Sequence, residues 1–269
     1  MRILLTGRNG QVGAELARTL EGVVATDRES LNLALPADIV RVVREVKPDV
    51  ILNAGAYTAV DKAEAERAIA TQVNAVAPGV LGEEARRAGA LLVHYSTDYV
   101  FDGAKGAPYR EDDAPHPLGH YARTKLDGER AVAASGCRHL ILRTSWVYGP
   151  RAANFYQLIA RKAAANEPMR MVDDQTSVPT PAGFLAFHTR ELLKTQANGL
   201  IHLVPSGQAT RLEFAREVAK KMQSSSKIEP ARSAEFPSAA RRPAYSVLDN
   251  RRAAALLGRA LPGWRELLP

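Results

Sequence analysis

Short apolar runs and amphipathic segments alternate along the first 145 residues of the chain. The apolar runs have the length of buried strands and end in glycine or polar residues; they lie at 2–6, 23–26, 50–53, 139–144 and from 91 into a polar cluster at 94–102. The amphipathic segments predict helices at 11–20, 36–46, 72–88 with a kink at Pro78, and 121–134. This alternation predicts an α/β fold with a doubly wound parallel sheet, Rossmann-like in type.

The pattern becomes less regular after Pro150. We predict helices at 154–164, 181–193 and 211–222, a short strand at 200–204, and a polar loop at 173–180. Residues 1–150 are therefore interpreted as a dinucleotide-binding domain. Residues 151–269 are interpreted mainly as a smaller C-terminal substrate-binding lobe, with some elements from about 181–204 returning to the large sheet.

Composition narrows the class of protein. Of 269 residues, 46% are hydrophobic and 24% are charged, as in ordinary globular proteins. The single cysteine, Cys137, excludes an internal disulfide framework and fits a reducing cytosol. No segment approaches the roughly 20 apolar residues that cross a bilayer. We therefore expect a cytoplasmic protein that does not insert into a membrane.

The net charge of +7 raises the question of nucleic acid as a partner. The lysines and arginines are scattered, and no basic run is interleaved with aromatic residues. A basic solvated surface explains this charge better than nucleic-acid binding does. The same charge would also attract a small anionic substrate.

Three glycines, Gly7, Gly10 and Gly13, lie between the first strand and the first helix. Glycine allows a tight turn, a close approach of the backbone to a pyrophosphate, and close packing of the helix on the strand. A tight turn without a ligand is the alternative explanation. The position between a strand and a helix favours dinucleotide binding.

The second predicted strand ends at Asp27, where an acid typically binds the ribose 2′-hydroxyl of NAD. Arg28 follows it and Arg8 lies inside the glycine loop, and either residue could meet the 2′-phosphate of NADP. These signals conflict, so NADPH and NADH both remain candidate cofactors.

Tyr121 and Lys125 are four residues apart on a predicted helix and therefore share one face. Reduction of a ketone requires a hydride at carbon and a proton at the developing alkoxide. A nearby ammonium and a cationic nicotinamide are expected to lower the pKa of the Tyr121 phenol from about 10 toward neutrality. The hydroxyl of Thr97, at the end of the fourth strand, can hydrogen-bond the same oxygen. Lys125 can also hold the nicotinamide ribose.

Other chemistries have less support. The six histidines show no metal-ligand spacing, Cys137 has no evident catalytic partner, and the Gly-x-Ser-x-Gly motif of hydrolases is absent. Trp146, at the end of the fifth strand, is either a core aromatic or a flat wall for a ligand ring.

Several blocks closely resemble the dTDP-4-dehydrorhamnose reductase family of the extended short-chain dehydrogenase/reductase superfamily. The blocks are residues 53–64, 95–103, 121–129, 142–149, 174–175 with 179–180, 242–243 and 246–249. The resemblance covers almost the whole chain. It implies NADPH- or NADH-dependent reduction of the 4-keto group of dTDP-6-deoxy-L-lyxo-4-hexulose. The product would be dTDP-L-rhamnose, a precursor of bacterial surface polysaccharide.

The resemblance also implies roles for particular residues. Tyr121 would be the proton donor, supported by Lys125 and Thr97. Thr97, Asp98 and Trp146 would face the nucleotide sugar. The residues implied around the cofactor, besides Gly7, Gly13, Tyr121 and Lys125, are Gly10, Gln11, Val12, Asp27, Ala56, Tyr57, Thr58 and Tyr95, with Asn32 and Leu33 in place of an Asp-Leu pair that the family often has near the adenine.

Some properties and alternatives stay open. Some family members use Mg²⁺ at a dimer contact, and this sequence shows no clear ligand set for it; a monomer and a homodimer are both compatible with the chain. A relative that serves as a regulatory subunit of methionine adenosyltransferase retains the fold as a binding module. Another nucleotide-sugar reductase or epimerase is a further alternative.

Overall fold

The computed structural model describes residues 1–151 and 154–269. Its helices and strands, numbered in chain order, are β1 (Ile3–Thr6), α1 (Gln11–Thr19), β2 (Val23–Ala25), α2 (Pro36–Val46), β3 (Val50–Asn53), α3 (Arg67–Thr71), α4 (Ala77–Ala88), β4 (Leu91–Thr97), α5 (His120–Ala134), β5 (Arg138–Thr144), β6 (Val147–Tyr148), α6 (Phe155–Ala164), β7 (Met169–Val172), β8 (Thr176–Ser177), β9 (Thr180–Pro181), α7 (Ala182–Leu192), β10 (Gly199–His202), β11 (Ala209–Thr210), α8 (Arg211–Lys221), β12 (Ile228–Ala231) and α9 (Arg251–Leu257).

Six parallel strands form the central sheet in the order β10-β5-β4-β3-β1-β2. The order reverses between β1 and β3, and the loops that leave these two strands therefore diverge and open a crevice at their carboxyl ends. The predicted doubly wound parallel sheet is confirmed, and the crevice is where such a fold places its ligand.

Alternate side chains of the strands enter two hydrophobic cores on opposite faces of the sheet. Ile3 and Leu5 pack with residues of α1, α7 and α9, whereas Leu4 packs with residues of α2, α4 and α5. Successive side chains of a strand point to opposite faces, so an almost continuous apolar run such as Ile3–Leu5 is required when both faces are covered. Burial on both faces holds the carboxyl ends of the strands in place.

The chain after Pro150 contributes both to the large sheet and to a third core. The predicted strand near residues 200–204 is confirmed as β10, which pairs with β5, and α7 packs against α1. Residues of α6, β7 and α8, including Ile159, Met169 and Phe214, form part of the third core together with Trp264. That this region binds the substrate stays a prediction at this point.

The predicted helix at 72–88 differs in detail. A π-helical turn occupies Gln72–Val76, and α4 follows from Ala77. Pro78 has no amide hydrogen to donate to the carbonyl of Asn74, and the ladder of hydrogen bonds changes register there. The predicted single helix with a kink at Pro78 is therefore replaced by a π-helical turn ahead of the proline, and Pro78 lies in the first turn of α4.

Several short elements were not predicted. The polar loop at 173–180 contains β8 and the start of β9, and neither β12 nor α9 was foreseen. A strand of two residues, such as β8 or β9, is too short to show an alternation of apolar and polar positions in the sequence. In the part of the chain that the structure describes, no helix is long and apolar enough to cross a membrane. The cytoplasmic location stays a prediction.

Candidate active site

A cavity of about 800 Å³ lies at the carboxyl ends of the central strands and extends to the third core. Twelve of the predicted site residues line it: Gly7, Gly10, Gln11, Val12, Ala56, Thr58, Tyr95, Thr97, Asp98, Tyr121, Lys125 and Trp146. The cavity therefore brings together the predicted catalytic residues, the glycine loop and all three predicted sugar contacts.

The glycine loop leaves no room for side chains. Gly7 has φ +73°, and a Cβ on Gly13 would lie 2.1 Å from the carbonyl oxygen of Gly7. Helix α1 begins after Gly10, and no side chain caps its first amides. These amides can therefore bind an anion. Gln11 Oε1 is buried without a hydrogen-bond partner in the described structure and lines the same cavity. A loop with these properties fits the pyrophosphate and ribose of a dinucleotide.

Asp27 lies just after β2, outside the residues that line the cavity. Its carboxylate accepts a hydrogen bond of 3.1 Å from the amide of Ser30, which lowers the pKa of Asp27. Arg8 lies 3.7 Å from the same carboxylate. Asp27, which would bind the 2′-hydroxyl of NAD, and Arg8, which would bind the 2′-phosphate of NADP, are therefore neighbours.

Four other predicted cofactor residues also lie outside the lining. Asn32 Oδ1 accepts from the amide of Ala34 at 3.0 Å, and Leu33 packs directly against Gly55. Tyr57 donates its amide to Asn74 Oδ1 at 2.9 Å. Gly13 contacts the loop itself. These four residues are not among those lining the cavity, and their predicted contacts with a cofactor stay predictions.

Lys125 is buried under strand β4, with only 3% of its surface exposed. Its Nζ donates to the carbonyl oxygen of Tyr95 at 2.6 Å and lies 3.4 Å from His94 Nε2. Burial lowers the pKa of Lys125 to about 8, although Glu129 acts in the opposite direction. Lys125 can therefore exchange a proton near neutral pH.

The phenol of Tyr121 forms a hydrogen bond with the hydroxyl of Thr97. Burial raises the pKa of Tyr121, and the charge of Asp98 raises it further, whereas the bond with Thr97 lowers it. For the protein alone, the pKa of Tyr121 is therefore raised, whereas the lowering was predicted for the site with a cationic nicotinamide bound. The cause is that desolvation penalises the phenolate, while the Lys125 ammonium is directed at the Tyr95 carbonyl.

Asp98 holds Thr97 in place. Thr97 Oγ1 donates to Asp98 Oδ1 at 3.2 Å, and Asp98 Oδ2 accepts from Ser177 at 2.9 Å and from Ser246 at 2.5 Å. Burial raises the pKa of Asp98 to about 6 against these hydroxyl bonds. Because both carboxylate oxygens are already bonded, Asp98 is better placed to orient Thr97 than to bind a sugar itself.

Trp146 has a positive φ of 39°, which is strained for a tryptophan. Its ring lies under the guanidinium of Arg211, 4.4 Å from the ring centroid. Arg211 and Arg242 both line the cavity, and Arg242 forms an ion pair of 2.7 Å with Asp61. Two arginines beside an aromatic wall favour a ligand that carries both a ring and negative charge.

Sequence reasoning did not assign roles to Arg211, Arg242, Asn74 or His94. Arg242 and His94 lie inside or next to blocks that carry the family resemblance, and this proximity was the available signal. Arg211 is the first residue of α8 and has no local pattern that distinguishes it. Within the described residues, no group of three or more His, Cys, Asp or Glu is arranged to hold a metal ion.

The geometry can be compared with known proteins. The family model described as RmlD substrate binding domain matches residues 1–269. The dTDP-4-dehydrorhamnose reductase of Burkholderia thailandensis is 42% identical over 285 residues, 98% of this chain and 96% of that protein. A probable dTDP-4,6-dihydroxy-2-methyloxan-3-one 4-ketoreductase of Streptomyces antibioticus is 37% identical over 277 residues, 100% of this chain and 93% of that protein.

A solved structure agrees with these relatives. The dTDP-4-dehydrorhamnose reductase of Bacillus anthracis in complex with NADP superposes with a TM-score of 0.95 at 32% identity, over 99% of this chain and 96% of that one. The chain therefore belongs to the RmlD substrate binding domain family, together with the dTDP-4-dehydrorhamnose reductases.

Proposed function

We propose that this protein is an NAD(P)H-dependent reductase that converts the 4-keto group of dTDP-6-deoxy-L-lyxo-4-hexulose into the alcohol of dTDP-L-rhamnose. One observation supports this most strongly: Tyr121, Thr97 and Lys125 meet in one cavity between a glycine loop and two arginines. The product would serve as the rhamnosyl donor for surface polysaccharide.

Tyr121 is the proposed proton donor. A nicotinamide cofactor bound at the glycine loop would supply the hydride. The raised pKa of Tyr121 keeps the phenol protonated at neutral pH, which is the form that a proton donor needs. Thr97 Oγ1 donates its proton to Asp98 and accepts from the amide of Tyr99 at 3.1 Å, and these bonds fix the oxygen beside the phenol. The carbonyl oxygen of the substrate would therefore lie beside the protonated phenol of Tyr121 and the fixed oxygen of Thr97.

The dTDP group is proposed to bind on the side of the third core. The guanidinium groups of Arg211 and Arg242 would balance the charge of its diphosphate. The indole of Trp146, stacked under Arg211, provides a flat apolar surface for the sugar. This arrangement supports the assignment of the chain after Pro150 mainly to substrate binding.

The cofactor is proposed to lie along Gly7–Gly13, with its adenosine ribose near Asp27. The ionised carboxylate of Asp27 can accept from a 2′-hydroxyl, whereas Arg8 can bind a 2′-phosphate. We propose that the protein uses either NADPH or NADH.

The test is a spectrophotometric assay. Purified protein is mixed with the dTDP-4-keto-6-deoxy-L-sugar, and the absorbance of NADPH and of NADH is followed in separate reactions. We expect loss of absorbance and a product two mass units heavier. No oxidation of either cofactor would contradict the proposal, and tightly retained NAD without net consumption would indicate an epimerase instead.

A second candidate substrate follows from the relative in Streptomyces antibioticus, whose name describes a 4-ketoreductase acting on another dTDP-linked keto sugar. A panel of dTDP-4-keto sugars that differ at C2 and C3 distinguishes the two. A kcat/KM highest for a sugar without the 2-hydroxyl would favour the second candidate.

A further inference from the structure

A row of buried hydrogen bonds crosses the central sheet and ends beside Lys125. The amide of Gly55 donates to Thr6 Oγ1 at 3.1 Å, and the Thr6 hydroxyl donates to Asn53 Oδ1 at 2.7 Å. Asn53 Nδ2 then donates to His94 Nδ1 at 3.0 Å. Thr6, Asn53 and His94 are each about 1% exposed and lie on the three adjacent strands β1, β3 and β4.

The direction of this row determines which nitrogen of His94 carries the proton. An amide nitrogen can only donate, so His94 Nδ1 must accept and the ring proton must be on Nε2. The opposite orientation of the Asn53 amide would leave the Thr6 hydroxyl proton without an acceptor among its described contacts. The row starts at a backbone amide, which does not release its proton, so it cannot act as a proton wire.

His94 Nε2 faces Lys125 Nζ at 3.4 Å. A protonated Nε2 and an ammonium are both donors, and neither has a lone pair for the other. The neutral amine does have one. We propose that His94 is a positioning residue for Lys125: held in its Nε2–H form by Asn53 and Thr6, it favours the neutral amine over the ammonium.

The other groups around Lys125 do not replace this effect. Glu129, on the same helix, favours the ammonium, but it is itself paired with Arg143 of β5 at 2.7 Å and hydrogen-bonded to Ser96. Burial disfavours the ammonium, and the pKa of Lys125 is about 8. His94 adds to these effects because its Nε2–H points at Lys125 Nζ and favours the neutral amine. The bonds from Thr6 and Asn53 determine that orientation.

The consequence for catalysis rests on the proposed function. Tyr121 would lose a proton in each reduction and must regain one. A lysine that is close to balance between its ammonium and amine forms can both release a proton to Tyr121 and regain one from solvent at neutral pH, whereas a lysine of ordinary pKa is a weaker acid and releases its proton less readily. His94 would therefore influence the pH at which the site works without contacting the substrate.

Lysine labelled with ¹³C at Cε reports the titration of Lys125 directly, without cofactor or substrate. Its signal is identified by its loss in Lys125→Arg. We expect a midpoint near 8 in the wild type. In Asn53→Asp, a carboxylate would accept from His94 Nδ1–H and leave a lone pair on Nε2, so the midpoint should rise by about one pH unit.

The new charge of Asn53→Asp could raise the midpoint by itself, and the double variant Asn53→Asp/His94→Phe measures that share. We expect most of the rise to require His94. An equal rise in the double variant, or an unchanged midpoint in Asn53→Asp, would overturn the proposal. His188, a buried histidine on α7 that is not among the residues lining the cavity, provides the matched control, and His188→Phe should leave the midpoint unchanged.

The reductase assay provides the second measurement. Under the proposal, the alkaline limb of the kcat profile in Asn53→Asp moves in the same direction as the NMR midpoint. A merely structural role would lower kcat equally at every pH. Absence of activity in the wild type would contradict the proposed function alone, because the NMR titration would still decide the role of His94.

Discussion

A tyrosine donates a proton only while it is protonated, and burial keeps Tyr121 in that state. Proximity to Lys125 in the sequence had suggested a lowered pKa. The structure instead directs the Lys125 ammonium at the Tyr95 carbonyl, 2.6 Å away, and burial raises the pKa of Tyr121. A donor of this kind suits reduction, in which the proton leaves the protein, better than the reverse reaction.

Replacement of Tyr121 by phenylalanine removes the proposed donor and leaves the ring. We expect kcat to fall about a hundredfold or more, the usual contribution of general acid catalysis, with the Kd of NADPH nearly unchanged. Steady-state kinetics and cofactor fluorescence titration measure the two quantities. Tyr245→Phe, which removes a phenol outside the cavity that bonds Gln208, should retain normal kcat. Near-normal turnover in Tyr121→Phe would show that another group donates the proton.

Asp27 and Arg8 allow a paired test of cofactor choice. Asp27→Ala removes the acceptor for a 2′-hydroxyl and should weaken NADH more than NADPH. Arg8→Ala removes the cation for a 2′-phosphate and should do the opposite. Each change is expected to alter the ratio of the two Kd values by about tenfold, which corresponds to one charge-assisted hydrogen bond. Equal losses for both cofactors in both variants would contradict these roles.

Residues that are close in sequence were predictable, and those brought together by the fold were not. The spacing of Tyr121 and Lys125 on one helix correctly indicated a shared location, and both line the cavity. Arg211 stacks on Trp146, although the two are distant in sequence and belong to different parts of the chain. No local pattern indicates such a pair, because it depends on the packing of α8 against α6 and β7 in the third core.

At the scale of elements, the contact between the π-helical turn Gln72–Val76 and α5 illustrates how a helix irregularity serves the site. Pro78 leaves the Asn74 carbonyl without its ordinary donor, and Gly128 of α5 packs against that carbonyl. The Asn74 side chain bonds both the amide and the carbonyl of Tyr57, each at 2.9 Å. The presence of Pro78 predicted a change in the helix. Only the folded structure shows that the π-helical turn places Asn74 where its side chain holds the loop after β3 through Tyr57.

Gly128→Ala tests this close packing. A Cβ at this position would lie 2.1 Å from the Asn74 oxygen, so α5 must move away. We expect the free energy of unfolding to fall by about 1 to 3 kcal/mol, as in other overpacked sites, together with weaker cofactor binding through Tyr57. Urea denaturation and fluorescence titration measure these effects.

Gly183→Ala is the matched control for a helical glycine. The nearest atom to its Cβ would be Glu15 Oε2, at an ordinary 3.8 Å. This change should leave stability the same or raise it by up to about 1 kcal/mol, because alanine favours helix. If the two variants had the same stability, the close contact at Gly128 would have no energetic importance.

At the scale of the molecule, the sheet was predictable and the third core was not. Apolar runs and helical periods directly indicate β1–β5 and their helices. The third core combines Val100 and Phe101 with residues such as Phe214 and Trp264 from much later in the chain. Its strands are two to four residues long, and such short segments have no period that distinguishes them from loops.

Asp98 joins these two parts, since it follows β4 and accepts hydrogen bonds from Ser177 and Ser246. Its pKa is raised from 3.8 to about 6 by burial. Between these two values the folded protein retains a proton that the unfolded chain has released. The contribution of Asp98 to stability is therefore greatest at low pH and declines as the pH rises through this window.

Asp98→Asn should remove that decline. Its amide oxygen can still accept from both serines, and no charge is buried. We expect the free energy of unfolding of the variant, relative to the wild type, to increase as the pH rises from about 4 to about 6.5, measured by urea denaturation at several pH values. Asp102→Asn is the control. The amide of Ala104 lowers the pKa of Asp102, so the Asp102 carboxylate is ionised in both the folded and the unfolded protein over most of this window. The difference in the free energy of unfolding between Asp102→Asn and the wild type should therefore stay nearly constant. If the difference in the free energy of unfolding between Asp98→Asn and the wild type were constant, ionisation of the buried Asp98 carboxylate would not destabilise the folded protein.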